Sequence, residues 1–188
     1  MAAQSKMVDL GSVAPDFVLT DPSGGVWELG KIAAPGQPVL AAFICNHCPY
    51  VIHIADAFSD FAREYKDKGL ATVAICANDV HAYPEDAPAK MAEFARAHRF
   101  TFPYLYDETQ ETAKAYGAVC TPDLFLFDKS RQLAYRGQFD DTRPGRGAPT
   151  GADIRAAADA VLAGRAPSRK QNPSIGCSIK WKRGNEPD

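Results

Sequence analysis

Apolar residues in this chain fall into short unbroken runs and longer stretches with helical spacing. Val39-Leu40-Ala41-Ala42-Phe43-Ile44 is continuous, and residues 70–76 are nearly so. This is the pattern of strands covered on both faces of a sheet. Between them, Val51, Ile52, Ile54, Ala55, Phe58, Phe61, Ala62 and Tyr65 recur at helical spacing. They predict a helix from about Tyr50 to Lys68, stopped by Gly69. Ahead of this unit, Asp16-Phe17-Val18-Leu19 and Val26-Trp27-Glu28-Leu29 read as two strands around the turn Asp21-Pro22-Ser23-Gly24-Gly25.

Beyond it, Pro84-Glu85-Asp86-Ala87-Pro88 opens a helix carrying Met91, Phe94, Ala95 and His98 on one face. Phe102-Pro103-Tyr104-Leu105 is short and extended, and Asp107 caps a helical segment from Glu108 to Tyr116. Leu124–Phe127 and Leu133–Arg136 are strands joined by a turn at Asp128-Lys129-Ser130-Arg131, and a last helix runs to about Ala163 with Thr150 as its N-cap. The order is a β-hairpin, then βαβα, then ββα. A strand–helix–strand crossover makes a parallel pair, and the closing hairpin adds antiparallel strands. The expected fold is α/β, a mixed central sheet sandwiched by helices, with an N-terminal β-hairpin extension.

Residues 1–8 form an N-terminal extension, 9–163 the domain, and 164–188 an irregular basic tail. The tail contains Ile175, Cys177, Ile179 and Trp181, and burying one such apolar side chain is worth about 1.5–3 kcal/mol. It is therefore expected to pack on the domain or on a partner subunit.

The chain has 188 residues, 46% of them hydrophobic, which suits one globular domain. A net charge of −2 gives no electrostatic case for nucleic acid. No stretch approaches the roughly 18 apolar residues of a membrane helix, and Met1 to Asp9 has no apolar run, so a reducing cytosol is the expected compartment. Five cysteines are too few and too scattered for a disulfide scaffold; in such a compartment they more often mean metal binding or catalysis.

Cys45-Asn46-His47-Cys48 is the strongest chemical signal. It lies between a buried strand and a helix that starts after Pro49, where free N–H groups and the helix dipole favour a negative charge. Such sites lower a thiol pKa from about 8.5 to roughly 3.5–7.5, and the thiolate is the nucleophile. The spacing also lets the two thiols close a small disulfide ring. Tetrahedral structural zinc needs four ligands, usually as two spaced pairs; no second CxxC or HxxxH appears, and a site completed in space by Cys120 and His47 is the lesser reading, so neither a metal nor another cofactor is expected. His47, between the thiols, is placed to favour a Cys45 thiolate. Cys76 reads as a core residue, Cys120 and Cys177 as candidates for additional redox thiols.

Three elements together resemble a known superfamily. They are the CxxC in a βαβ context, Cys120-Thr121-Pro122 just before a strand, and the entry block Gly11-Ser12-Val13-Ala14-Pro15-Asp16-Phe17 with Gly25 and Leu29. The chain resembles the thioredoxin-like superfamily over about residues 9–163, in its redoxin branch (alkyl hydroperoxide reductase/thiol-specific antioxidant). Its tail, around Pro173–Trp181, is similar to a peroxiredoxin-like subgroup. The resemblance implies a thioredoxin-like fold and a cis Thr121–Pro122 bond packed against the CxxC. Cys48-Pro49 looks like the peroxidatic Cys-Pro of peroxiredoxins, although Cys45 stands where those carry Thr. A CxxC with a cis-Pro resembles thiol–disulfide oxidoreductases instead.

The expected activity is thiol–disulfide exchange through a mixed disulfide. Cys45, the solvent-facing first thiol, attacks and Cys48 resolves, with His47, Pro49, Thr121 and Pro122 in support. In one alternative, a thiol-dependent peroxidase, Cys48 is peroxidatic and Cys45 resolving. In another, a non-catalytic thioredoxin-fold binding module, the pair is vestigial or holds metal. The implied partners are a disulfide-containing protein, a small thiol or a peroxide, with a thiol donor or its reductase supplying electrons.

Overall fold

A computed structural model describes residues 2–187. Seven strands form the central sheet: β2 (Val18–Thr20), β3 (Val26–Glu28), β4 (Val39–Phe43), β5 (Ala71–Cys76), β6 (Tyr104–Tyr106), β8 (Asp123–Phe127) and β9 (Leu133–Gly137). Their order is β3-β2-β6-β5-β4-β8-β9, with β4–β5 and β5–β6 parallel and the other pairs antiparallel. β4, β5 and β8 are buried along their whole length, which is why their sequences run apolar without alternation.

Alternation still sorts their side chains between two cores. On one face Leu40, Ala42, Ala74, Leu124 and Leu126 meet α2 (Pro49–Asp67), α3 (Pro88–Ala97) and α5 (Ala152–Leu162). On the other, Val39, Ala41, Phe43, Val73, Ile75 and Phe125 meet α1 (Leu29–Ile32) and α4 (Glu111–Tyr116). Helix α2 buries Val51, Ile54, Ala55, Phe58, Phe61, Ala62 and Tyr65. Ile52 lies off that stripe and is half exposed.

Several boundaries differ from the sequence reading. The helix expected from Pro84 is a 3₁₀ turn (Pro84–Asp86) followed by α3, because Pro88 starts a fresh helix at Ala87. Helix α4 begins at Glu111 rather than Glu108; Asp107 Oδ2 accepts the Ala113 N–H from below the first turn. Thr150 is not the cap of α5. Gly151 holds that position at φ +68°, and the buried Asp140 accepts the N–H groups of Thr150 and Gly151 across the loop.

The tail is not irregular throughout. Ile175–Ser178 is a strand, β10, paired antiparallel on one side with β1 (Ala2–Gln4) and on the other with β7 (Cys120–Thr121). Ile175, Cys177, Ile179 and Trp181 alternate with Gly176, Ser178 and Lys180, a strand period that the sequence reading passed over, and partners distant in sequence complete the ladder. The tail continues into the domain. Ile179 is buried, the Lys180 N–H donates to Asn78 Oδ1 at 2.8 Å, and the Lys182 N–H donates to Gln110 Oε1 at 2.9 Å.

Candidate functional site

The central strand β4 delivers the chain to Cys45, and Cys48 is the N-cap residue of the 19-residue helix α2, with Pro49 opening its first turn. The β7–β8 segment lies opposite. Its Thr121–Pro122 bond is cis, and Thr121 reaches both thiols. Cys45 Sγ is 3.3 Å from Thr121 Oγ1, and Cys48 Sγ is 3.1 Å from the Thr121 carbonyl oxygen, to which it donates when protonated. Strand β10 closes the third side, with Cys177 in register opposite Thr121 and packed against the core around the pair.

The first thiol was expected to face solvent, and it does not. Cys45 and Cys48 are both 0% exposed, and Cys177 of β10 packs against the core cluster that includes them. The two sulfurs are also not equivalent. The Cys48 thiol is lowered to about 5, first because the Cys45 thiol donates to its sulfur; donors from Cys177 and the Val51 N–H add to this, while burial opposes it. The Cys45 thiol is pushed far up by donating that hydrogen bond, then by burial, then by the charge of Asp86. Cys177 is pushed up to about 11 by burial and by donating to Cys48. The pair is thus asymmetric, the Cys48 thiol lowered and the Cys45 thiol raised by the interaction between them.

The loop that carries Cys45 is held by a residue the sequence reading passed over. Asp86 is fully buried and accepts the Asn46 N–H at 2.7 Å and the Asn78 side-chain amide at 2.7 Å. Its Oδ2 lies 2.8 Å from His47 Nδ1, an ion-pair distance without hydrogen-bond alignment. His47 stacks on Tyr83 with centroids 5.5 Å apart, and Tyr104 donates to Asn46 Oδ1 at 3.0 Å. Asp86 reads in sequence as a first-turn helix residue, and nothing in its spacing ties it to a loop forty positions earlier.

Cys45 Sγ, His47 Nδ1 and an Asp86 carboxylate oxygen lie within 4.8 Å of one another, a three-donor set that could hold a metal ion. Cys120 is not part of that group. Its thiol is buried, turned to the Pro122 carbonyl oxygen at 3.6 Å, and held protonated by burial and by Asp123. Asp123 was also missed. It is fully buried, its Oδ1 lacks a hydrogen-bond partner, and burial raises its carboxyl to about 7.

Residues 10–136 match the AhpC/TSA family. A thiol-disulfide oxidoreductase ResA of Bacillus cereus is 26% identical over 141 residues, 75% of this chain and 76% of that protein. A chloroplastic peroxiredoxin Q of Triticum aestivum is 32% identical over 119 residues, 63% of this chain and 49% of that protein. Among solved structures, a hypothetical protein of Sinorhizobium meliloti 1021 superposes with a TM-score of 0.94 at 49% identity, covering 96% of this chain and 99% of that one.

Proposed function

This chain belongs to the AhpC/TSA family, and from that premise we propose that it is a thiol–disulfide oxidoreductase cycling Cys45 and Cys48 between dithiol and disulfide. One observation carries the reading: Cys45 and Cys48 lie together at the start of α2, both against Thr121 of the cis Thr121–Pro122 segment. We infer that Cys48 is the attacking thiol, which its lowered and the Cys45 thiol's raised pKa support, where the sequence reading gives that role to Cys45. Cys48 attacks the substrate disulfide and expels one thiolate, leaving a mixed disulfide on Cys48. Cys45 then loses its proton and attacks the Cys48 sulfur, releasing the second substrate thiol and closing the Cys45–Cys48 disulfide. The Thr121 hydroxyl, 3.3 Å away, is placed to donate to the Cys45 sulfur as its charge develops.

A second reading is favoured by the burial of both sulfurs and by Pro49 directly after the thiolate. In it the oxidant is a small hydroperoxide. Cys48 attacks the peroxide oxygen and becomes a sulfenic acid, and Cys45 condenses with it, releasing water.

Reduced protein is mixed separately with one equivalent of oxidised glutathione and of hydrogen peroxide, and the rates of Cys45–Cys48 disulfide formation are compared. Faster oxidation by the disulfide supports exchange, and faster oxidation by peroxide selects the second reading. In a Cys45→Ser/Cys177→Ser chain, which keeps neither neighbouring thiol, the exchange reading expects a glutathione mixed disulfide on Cys48. A mixed disulfide on Cys45 in Cys48→Ser, with the Cys45→Ser protein inert, overturns the order of attack. We place this cycle in a reducing cytosol, where a thiol donor or reductase returns the electrons; fractionation of cells producing the chain tests that placement.

A further inference from the structure

Cys48 has two thiol neighbours, and the proposed exchange uses one. Cys177 is brought to the pair by main-chain pairing. It sits opposite Thr121 in the antiparallel β10–β7 ladder, and Thr121 itself touches both Cys45 and Cys48. The approach of β10 is close enough to require glycine beside the cysteine: a Cβ on Gly176 would lie 1.9 Å from the Thr121 carbonyl oxygen. On its far side β10 is held by β1, through Ala2↔Cys177, Ala3↔Gly176 and Gln4↔Ile175. Further along, Ser5 and Ser174 bond reciprocally, N–H to carbonyl at 3.0 Å and N–H to hydroxyl at 2.9 Å. The strand is thus fixed on both edges, with its thiol side chain against the redox pair.

We propose that Cys177 is a third redox thiol, which takes the disulfide over from Cys45 and so fastens strand β10 covalently across the pair. This rests on the exchange reading, whose first turnover supplies the Cys45–Cys48 disulfide. The Cys177 sulfur attacks Cys48 Sγ. The bond between Cys45 and Cys48 breaks as the bond between Cys48 and Cys177 forms. The proton that leaves Cys177 ends on the expelled Cys45 thiolate. One disulfide replaces another, so no further oxidant enters. The raised Cys177 thiol makes this step slow near neutrality and faster as pH rises towards about 11. In the latched form Cys48 is closed to substrate until Cys45 attacks it again. Lys180 sits close enough for its charge to favour a Cys177 thiolate during the exchange.

The full chain, Cys45→Ser and Cys177→Ser are each oxidised with one equivalent of diamide. Free thiols are then alkylated and disulfides mapped by peptide mass spectrometry. The proposal expects Cys48–Cys177 as the main disulfide in Cys45→Ser, and in the unmodified sequence a Cys48–Cys177 fraction that forms from Cys45–Cys48 faster as pH rises. It is overturned if Cys177 stays alkylated in Cys45→Ser while Cys48 ends as an adduct or in intermolecular dimers. It is equally overturned if the unmodified protein gives Cys45–Cys48 alone at every pH. Cys177→Ser separates the two claims. If it closes Cys45–Cys48 normally, such a failure belongs to the third thiol; if it closes nothing, the underlying exchange reading has failed.

Discussion

Cys48 is the residue at which the local forces can be measured separately. Its folded thiol titrates near 5, against an ordinary value of 9.0. A group whose folded pKa is depressed adds stability above its unfolded pKa and loses it as pH falls through the folded one. Reduced protein should therefore gain stability over Cys48→Ser as pH rises from about 5 towards 9, and denaturant titrations at each pH measure that difference. A constant difference would mean that Cys48 is not held as a thiolate. Asp123 has the opposite sign. Its carboxyl is raised from 3.8 to about 7 by burial, so its contribution is complete below pH 4 and is lost as pH rises to 7. Asp123→Asn should gain stability relative to the parent over that interval, and parallel curves would refute the assignment. Asp86→Ala should cost roughly 2–3 kcal/mol, the scale of a hydrogen bond to a charged group, with partial rescue by Asn. The CxxC and the Thr-Pro pair stood out in the sequence because their chemistry is local. Asp86 and Asp123 did not, because an acidic residue shows its role only once burial has removed its water.

Among the elements, α2 was the clearest in sequence and β10 the least clear. The apolar stripe of α2 repeats over five turns, and the structure moves its bounds by one residue. Phe58→Ala at its centre, where Phe58 packs edge-on to Phe102 and Phe139, should cost about 3–5 kcal/mol by chemical denaturation. Strand β10 is four residues long, so its alternation of Ile175 and Cys177 is a short signal, and its two edges come from residues 2–4 and 120–121. That makes it separable. Gly176→Ala places a methyl against the Thr121 carbonyl oxygen and should lift the strand. The expected result is faster alkylation of Cys48 by a maleimide, with the helices unchanged by circular dichroism. Unchanged alkylation would show that β10 does not shield the pair.

At the scale of the whole molecule, the sheet separates two cores, and the redox pair lies where β4 leaves it. The tail closes that end. Ile179 belongs to the core formed by Phe43, Phe125 and Tyr116, while Lys180 and Lys182 are tied to Asn78 and Gln110. Truncation after Ala166 should therefore lower the melting temperature and open the pair together, Ile179 alone accounting for about 1.5–3 kcal/mol. A truncated chain with the parent melting temperature would separate the tail from the fold.

The ladder around Cys177 also sets a parity rule for the chain. Side chains along a strand point alternately to opposite faces, so sliding β10 by a single residue would offer Gly176 or Ser178 to Cys48 in place of a thiol. Gly176 bars that slip, since a larger residue brought to its place would put a Cβ 1.9 Å from the Thr121 carbonyl oxygen. A residue added to the connection between α5 and β10, residues 163–174, is therefore expected to bulge out of the loop and leave Cys177 opposite Thr121. An atom that is absent, the glycine Cβ, keeps the sulfur in register.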